Sequence, residues 1–357
     1  MASIDPSIDP SMTPAPRPLY ATGDPVVRRV DHIIIRVDDA GYDELYSLFT
    51  DTLRLPSPWP PTEHPAMRSG GVFAGNVDLE LLYVPAGSAG ANANGFDPES
   101  YAYLYGVVFE AWGDDVAGLA ERGISYLPAP YVSVEPGKPP ATLWTNYFLG
   151  AFLGTTPWLR ALFGLKKLVP DKLWMRSASK PAHPRMVQFM FNEVYRNGVV
   201  FIVKYNPNWR DINAERRISA TQLAARAGGV LGLVRVKEVV IGTTQLTASS
   251  SLWRALLRPA VEETALCWQV GDGPAIRLIA AERDGIHHLI WEVASLDRAR
   301  AALAELEMLG HDLGDEVAID PERCFGLNIR LVEAERAAAT PGHATSAETL
   351  RSIRAED

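Results

Sequence analysis

Cysteine is scarce: the 357 residues include only Cys267 and Cys324. They lie far apart in no ligand-like spacing, which excludes a disulfide framework and a thiolate metal cluster and suits a reducing compartment. A cytoplasmic location is therefore expected. An excess of positive charge is also lacking. Lys and Arg number 34 against 43 Asp and Glu, a net charge of −9. Nucleic-acid binding needs a basic face to displace counterions, so nucleic acid is excluded as a partner. The N-terminal "MASIDPSIDPSMTPAPRP" has neither a basic start nor an apolar run, so it does not read as a signal peptide. GxGxxG, Walker A and HExxH patterns are absent. Long apolar runs are nearly absent too. The exception, "ATLWTNYFLGAFLGTTPWLRALFGL" at 141–165, is broken by Asn146, by Gly154–Pro157 and by Arg160. Such breaks leave backbone groups unpaired in lipid, so no transmembrane span is expected. The segment is expected to be a lid over an apolar pocket, a subunit contact or a membrane-surface contact.

What the chain does contain is a repeat. "RVDHIIIRV" has strand character, "GYDELYSLFTDTLRL" has apolar residues at helical spacing, and short strands follow, ending in "VDLELLYVP". The order recurs from "LYGVVFEAW" to "GVVFIVKYNP", from "VRVKEVVIGT" to "PAIRLIAA", and from "IHHLIWEV" to "LNIRLVEA". Each unit reads as strand, helix, then three strands. The implied organisation is a disordered arm at 1–27, an N-terminal half at 28–208 with an apolar insert at 132–185, a linker at 209–229, a C-terminal half at 230–335 and a loose tail at 336–357.

This order, with "DHIIIRV", "LELL" and "HHLIWEV", resembles the vicinal oxygen chelate superfamily over most of residues 28–334. That superfamily includes glyoxalase I, bleomycin-resistance proteins, and extradiol and 4-hydroxyphenylpyruvate-type dioxygenases. The resemblance implies an α+β fold of tandem βαβββ units forming two cupped mixed sheets. It also implies a divalent metal on a concave face, with ligands from the first and last strands of the units.

Side chains of a strand alternate between two faces. His32, Ile34 and Arg36 share one face of the first strand; His288, Ile290 and Glu292 share the same phase in the fourth unit. By this phase His287 turns away, bonded to backbone or water. At the position matching His32 the middle units carry Gly106 and Glu238. At the family's carboxylate position the four units carry Glu80, Ile202, Arg277 and Arg330. Pairing of neighbouring units leaves each cup at most two conventional ligands. Pairing the first unit with the fourth, an exchange with precedent in fused glyoxalases of the family, gathers His32, Glu80 and His288. Two histidines and a carboxylate form a facial triad with open positions, suited to Fe(II) first and also to Mn, Co, Ni or Zn. Arg36, Glu292 and Arg330 would line the same face as catalytic groups. Arg330 departs from the family pattern, because guanidinium cannot ligate; it can replace the metal by pairing with a carboxylate, or clamp an anion.

The resemblance thus points to a metal-dependent enzyme, a non-haem iron oxygenase acting on an apolar or aromatic small molecule with vicinal oxygens, as monomer or homodimer. Its alternatives are a glyoxalase-like isomerase or lyase, and a metal-free protein that sequesters small molecules.

Overall fold

The computed structural model describes residues 25–64, 67–84, 101–113, 116, 118–133, 141–152, 165, 199–209 and 211–335. The arm before residue 25, the tail from 336 and most of 153–198, including Trp158, lie outside the described residues.

Four βαβββ units follow one another. The first comprises β1 (Val27–Val37), α1 (Tyr42–Ser47) continued by a π-helical turn (Leu48–Thr52), β2 (Trp59–His64), β3 (Met67–Phe73) and β4 (Asp78–Tyr83). The second comprises β5 (Ala102–Ala111), the short α2 (Gly118–Glu121), β6 (Tyr126–Ser133), β7 (Ala141–Leu149) and β8 (Val199–Tyr205). Helix α3 (Ile212–Ala225) joins the halves. It starts where the Asp211 side chain accepts the Ala214 amide hydrogen, satisfying one of the open N–H groups of the first turn. The third unit comprises β9 (Leu233–Thr243), α4 (Leu246–Leu257), β10 (Glu262–Thr264), β11 (Cys267–Trp268) and β12 (Ala275–Ala280). The fourth comprises β13 (Gly285–Val293), α5 (Leu296–Glu305), β14 (Leu309–Asp312), β15 (Glu316–Ile319) and β16 (Ile329–Glu333).

Two eight-stranded mixed sheets result, with orders β2-β3-β4-β1-β5-β8-β7-β6 and β10-β11-β12-β9-β13-β16-β15-β14. Neighbouring units therefore pair. The exchange of the first unit with the fourth does not occur: β1 lies against β5, and β9 against β13. The apolar stretch at 141–149 is also not a lid. It is β7, hydrogen-bonded between β6 and β8. No helix among the described residues is long and apolar enough to cross a membrane.

One hydrophobic core joins the halves. It contains Ile33, Ile35, Leu79, Leu81, Val107 and Phe109 of the first sheet together with Val239, Leu289, Trp291, Val293 and Leu331 of the second. Phe49 meets Trp291, and Phe109 meets Trp253, at ring-centroid distances of 6.3 and 6.2 Å. Each sheet thus turns one face to the shared core. The alternate residues, His32, Ile34 and Arg36 in β1 and His288, Ile290 and Glu292 in β13, take the opposite faces. On the first sheet this inner face is lined by a separate apolar cluster: Ile34, Leu82, Tyr105, Val108, Phe148 and Phe201, among others.

Candidate functional site

Strand registers identify the equivalent positions in the four units. In the first sheet His32 lies opposite Val108, and Ile34 opposite Gly106, so a local two-fold relates His32 to Gly106. Their partners on the next strands are Asp78 and Val199. Two residues further along stand Glu80 and Phe201. Phe201, and not Ile202, is thus the counterpart of Glu80; Ile202 belongs to the core between the halves. In the second sheet Glu238 lies opposite Ile290, and Val240 opposite His288, so Glu238 matches His288. Arg277 and Arg330 complete that set.

A further feature repeats. The register slips between Val30 and His32, across Tyr105, across Lys237, and between Ile286 and His288. Each first strand carries a bulge at the residue just before the ligand-equivalent position. A bulge adds an unpaired residue and breaks the alternation of faces. Asp31 consequently turns onto the ring of His32, with Oδ2 2.7 Å from Nδ1. His287 turns onto His288 in the same way, with the two Nδ1 atoms 2.8 Å apart. His287 is therefore a partner of His288, rather than a residue turned to backbone or water.

In the N-terminal sheet a hydrogen-bonded chain crosses the inner face. The Ser69 hydroxyl donates to Glu80 at 2.6 Å. The other Glu80 oxygen lies 3.1 Å from His32 Nε2. Beyond His32, Asp31 accepts from the Tyr205 hydroxyl at 2.8 Å and from the Arg216 guanidinium at 2.6 Å. Arg216 comes from α3 and also donates to Glu110 at 3.0 Å, so the linker helix completes the site. A crevice lined by Asp31, Trp59, Tyr205 and Arg216 opens beside this chain.

The charges follow from these contacts. Burial opposes a charge on His32, but the hydrogen bonds to Asp31 and Glu80 outweigh it and push its pKa up to about 10. Burial likewise opposes ionisation of Asp31, and Arg216 and His32 hold its carboxyl well below the usual range. Glu80 is lowered against its burial by His32. The inner face thus holds an imidazolium clamped between two carboxylates.

The second sheet is built differently. Glu238 is bound by the Arg277 guanidinium, with Nη2 to Oε1 at 2.8 Å. Glu292 is held by Arg235 at 2.6 Å and Lys237 at 3.5 Å. Arg330 donates to Glu316 at 3.0 Å. His288 is kept neutral: burial, then Arg330, then His287 lower its pKa to about 3.

The predicted metal ligands are therefore not brought together. His32 and Glu80 touch, while His288 lies on the other sheet, facing away across the shared core. The predicted catalytic set divides likewise. Arg36 stacks over Tyr105 at 5.7 Å in the first sheet, and Glu292 and Arg330 are ion-paired in the second. A catalytic metal needs about three protein ligands. The first inner face offers His32 and Glu80, with Gly106 and Phe201 in the remaining positions. Asp31 adds nothing to them, because it occupies the opposite nitrogen of the ring. The second offers Glu238 and His288 beside two guanidinium groups. Among the described residues no three His, Cys, Asp or Glu side chains form a metal-binding group. The donor sets do not fit a metal triad.

Two eight-stranded mixed sheets, each made of two βαβββ units, form the arrangement that the sequence resemblance implies. The fold class is α+β of the glyoxalase and dioxygenase type. The chain is similar in structure to a Mn(II)-bound glyoxalase from Novosphingobium aromaticivorans, with 11% identity, 86% of this chain and 82% of that chain covered, and a TM-score of 0.44. It is also similar to a homoprotocatechuate 2,3-dioxygenase variant from B. fuscum, at 11% identity, 92% and 76% coverage and a TM-score of 0.49. A third similar structure is the 2,3-dioxygenase LapB from Pseudomonas sp. KL28, at 12% identity, 87% and 94% coverage and a TM-score of 0.42. No protein-family model and no curated protein matches the sequence.

Proposed function

We propose that this protein binds an apolar or aromatic small molecule on the inner face of its N-terminal sheet without a metal. The observation that carries this reading is the set of four ligand-equivalent positions there: His32, Glu80, Gly106 and Phe201. Two of these positions carry no polar side chain, and the other two are closed on each other as an ion pair. The rest of the face supports an apolar ligand, because Ile34, Leu82, Val108, Phe148 and Phe201 line it. Polar groups are few and sit at its ends: the His32 cluster at one, and Arg36 beside Tyr105 further along β1. Such placement orients a ligand, while the apolar wall supplies affinity.

The test uses the full chain purified without chelator. Elemental analysis is expected to find well under one equivalent of Mn, Fe, Co, Ni or Zn. Titration with 2-naphthol as probe is expected to show binding unchanged by EDTA and weakened by Phe148→Ala and Phe201→Ala. Removing either ring should weaken binding by about 1–3 kcal/mol. One equivalent of metal that disappears in both His32→Ala and Glu80→Ala would overturn the metal-free reading and restore the metal-dependent enzyme.

A further inference from the structure

The inner face of the C-terminal sheet has no place in the proposal above, and it is made of different chemistry. Three of its carboxylates are already committed. Glu238 is held by Arg277, Glu292 by Arg235 and Lys237, and Glu316 by Arg330. Arg330 uses only Nη1 in its bond to Glu316. Its Nε and Nη2 donors bond to none of the described residues, and its side chain is 31% exposed. Next to it lies His288, itself only 7% exposed. The bulge at His287 ties up His288 Nδ1, so Nε2 is the nitrogen left to face the cup. Nε2 has no hydrogen-bond partner among the described residues. When His287 donates the shared proton, His288 must carry its own proton on Nε2 and becomes a donor there. Arg330 Nε and Nη2 and His288 Nε2 thus present three donor nitrogens with no oxygen among the described residues to receive their hydrogens. Guanidinium N–H pairs suit planar oxyanions.

We propose that this face is a second ligand site, which takes a small oxyanion, a carboxylate or phosphate group, held by Arg330 and His288. It is independent of the apolar face of the N-terminal sheet. The ion pair of Arg330 with Glu316 is the competitor that an incoming oxyanion partly displaces. Two substitutions should therefore act in opposite directions. Arg330→Gln removes the cation and should weaken binding at least tenfold. Glu316→Gln frees the guanidinium and should tighten binding severalfold.

The experiment is a titration of the full chain with inorganic phosphate, and separately with malonate, followed by the ring signals of the seven histidines. The expected result is a saturable shift confined to two rings, assigned to His287 and His288 by their loss in His287→Gln and His288→Asn. Tighter binding of phosphate points to a phosphate ester, and tighter binding of malonate to a dicarboxylate. Potassium chloride at matched ionic strength separates specific binding from screening. The proposal is overturned if Arg330→Gln binds as the wild type does, if Glu316→Gln fails to tighten binding, or if chloride reproduces the shift.

Discussion

Removing His32 tests the N-terminal site most directly. The ring stands between Asp31 at 2.7 Å and Glu80 at 3.1 Å, and 12% of its side chain is exposed. In His32→Leu, Asp31 keeps Arg216 and Tyr205. Glu80 keeps only the Ser69 hydroxyl and becomes a buried carboxylate without a cation. Breaking a buried ion pair from one side costs about 3–5 kcal/mol. The added leucine returns about 1 kcal/mol through apolar burial. A net loss of about 2–4 kcal/mol is expected, a large part of a typical stability of roughly 5–15 kcal/mol. In His32→Leu/Glu80→Leu the stranded carboxylate is gone, and stability should recover by about 2 kcal/mol relative to the sum of the single changes. Urea denaturation of the four proteins measures this, provided the m-values agree. The pH dependence follows from the same contacts. The folded pKa of His32, raised to about 10, lies above its ordinary 6.5. Its protonated form therefore stabilises the fold fully below pH 6.5, and that contribution is lost as pH rises through about 10. The gap between wild type and His32→Leu should shrink across that interval. A loss under about 1 kcal/mol, additive single changes, or a gap that stays flat across the interval refutes the clamp.

Other consequences can be measured with the same tools. Arg216→Ala should cost about 3 kcal/mol, because it leaves Asp31 and Glu110 short of a buried cation. It should also start acid unfolding at higher pH, since Arg216 holds the Asp31 carboxyl low. Trp291→Ala, at a fully buried position in the core between the halves, should cost about 3–5 kcal/mol. A fragment ending at Gly228 keeps its whole sheet but exposes the core face of Phe49 and Phe109, and light scattering should show it self-associating. His288 is neutral in the fold, with a pKa of about 3 against an ordinary 6.5, so unfolding takes up a proton and stability falls as pH drops below 6.5. His288→Gln should make that fall shallower in denaturation curves taken between pH 6.5 and 4.

The repeat was readable from the residues alone. Strand and helix have different apolar periods, and the same sequence of periods runs four times from "RVDHIIIRV" to "LNIRLVEA". That His32 and Glu80 face inward also followed from alternation, while their contact comes from the pairing of β1 with β4. Three decisions belonged to the tertiary structure. Which units share a sheet depends on how the strands pair across the connections, and β1 pairs with β5; local pattern carries no information on that choice. With that pairing, the faces of β1 and β13 opposite to their histidines pack into one core, which sends His32 and His288 to opposite sides of the molecule. The bulges lie below the resolution of a period-two reading. One unpaired residue reverses the phase, turning Asp31 and His287 onto the rings that follow them. Sequence alone therefore determined the unit and most of its inward positions, Ile202 being read in place of Phe201. Only the packing of the units decided that His32 and Glu80 meet in one cup while His288 lies in the other, because three ligands can meet only if three strands of one cup supply them.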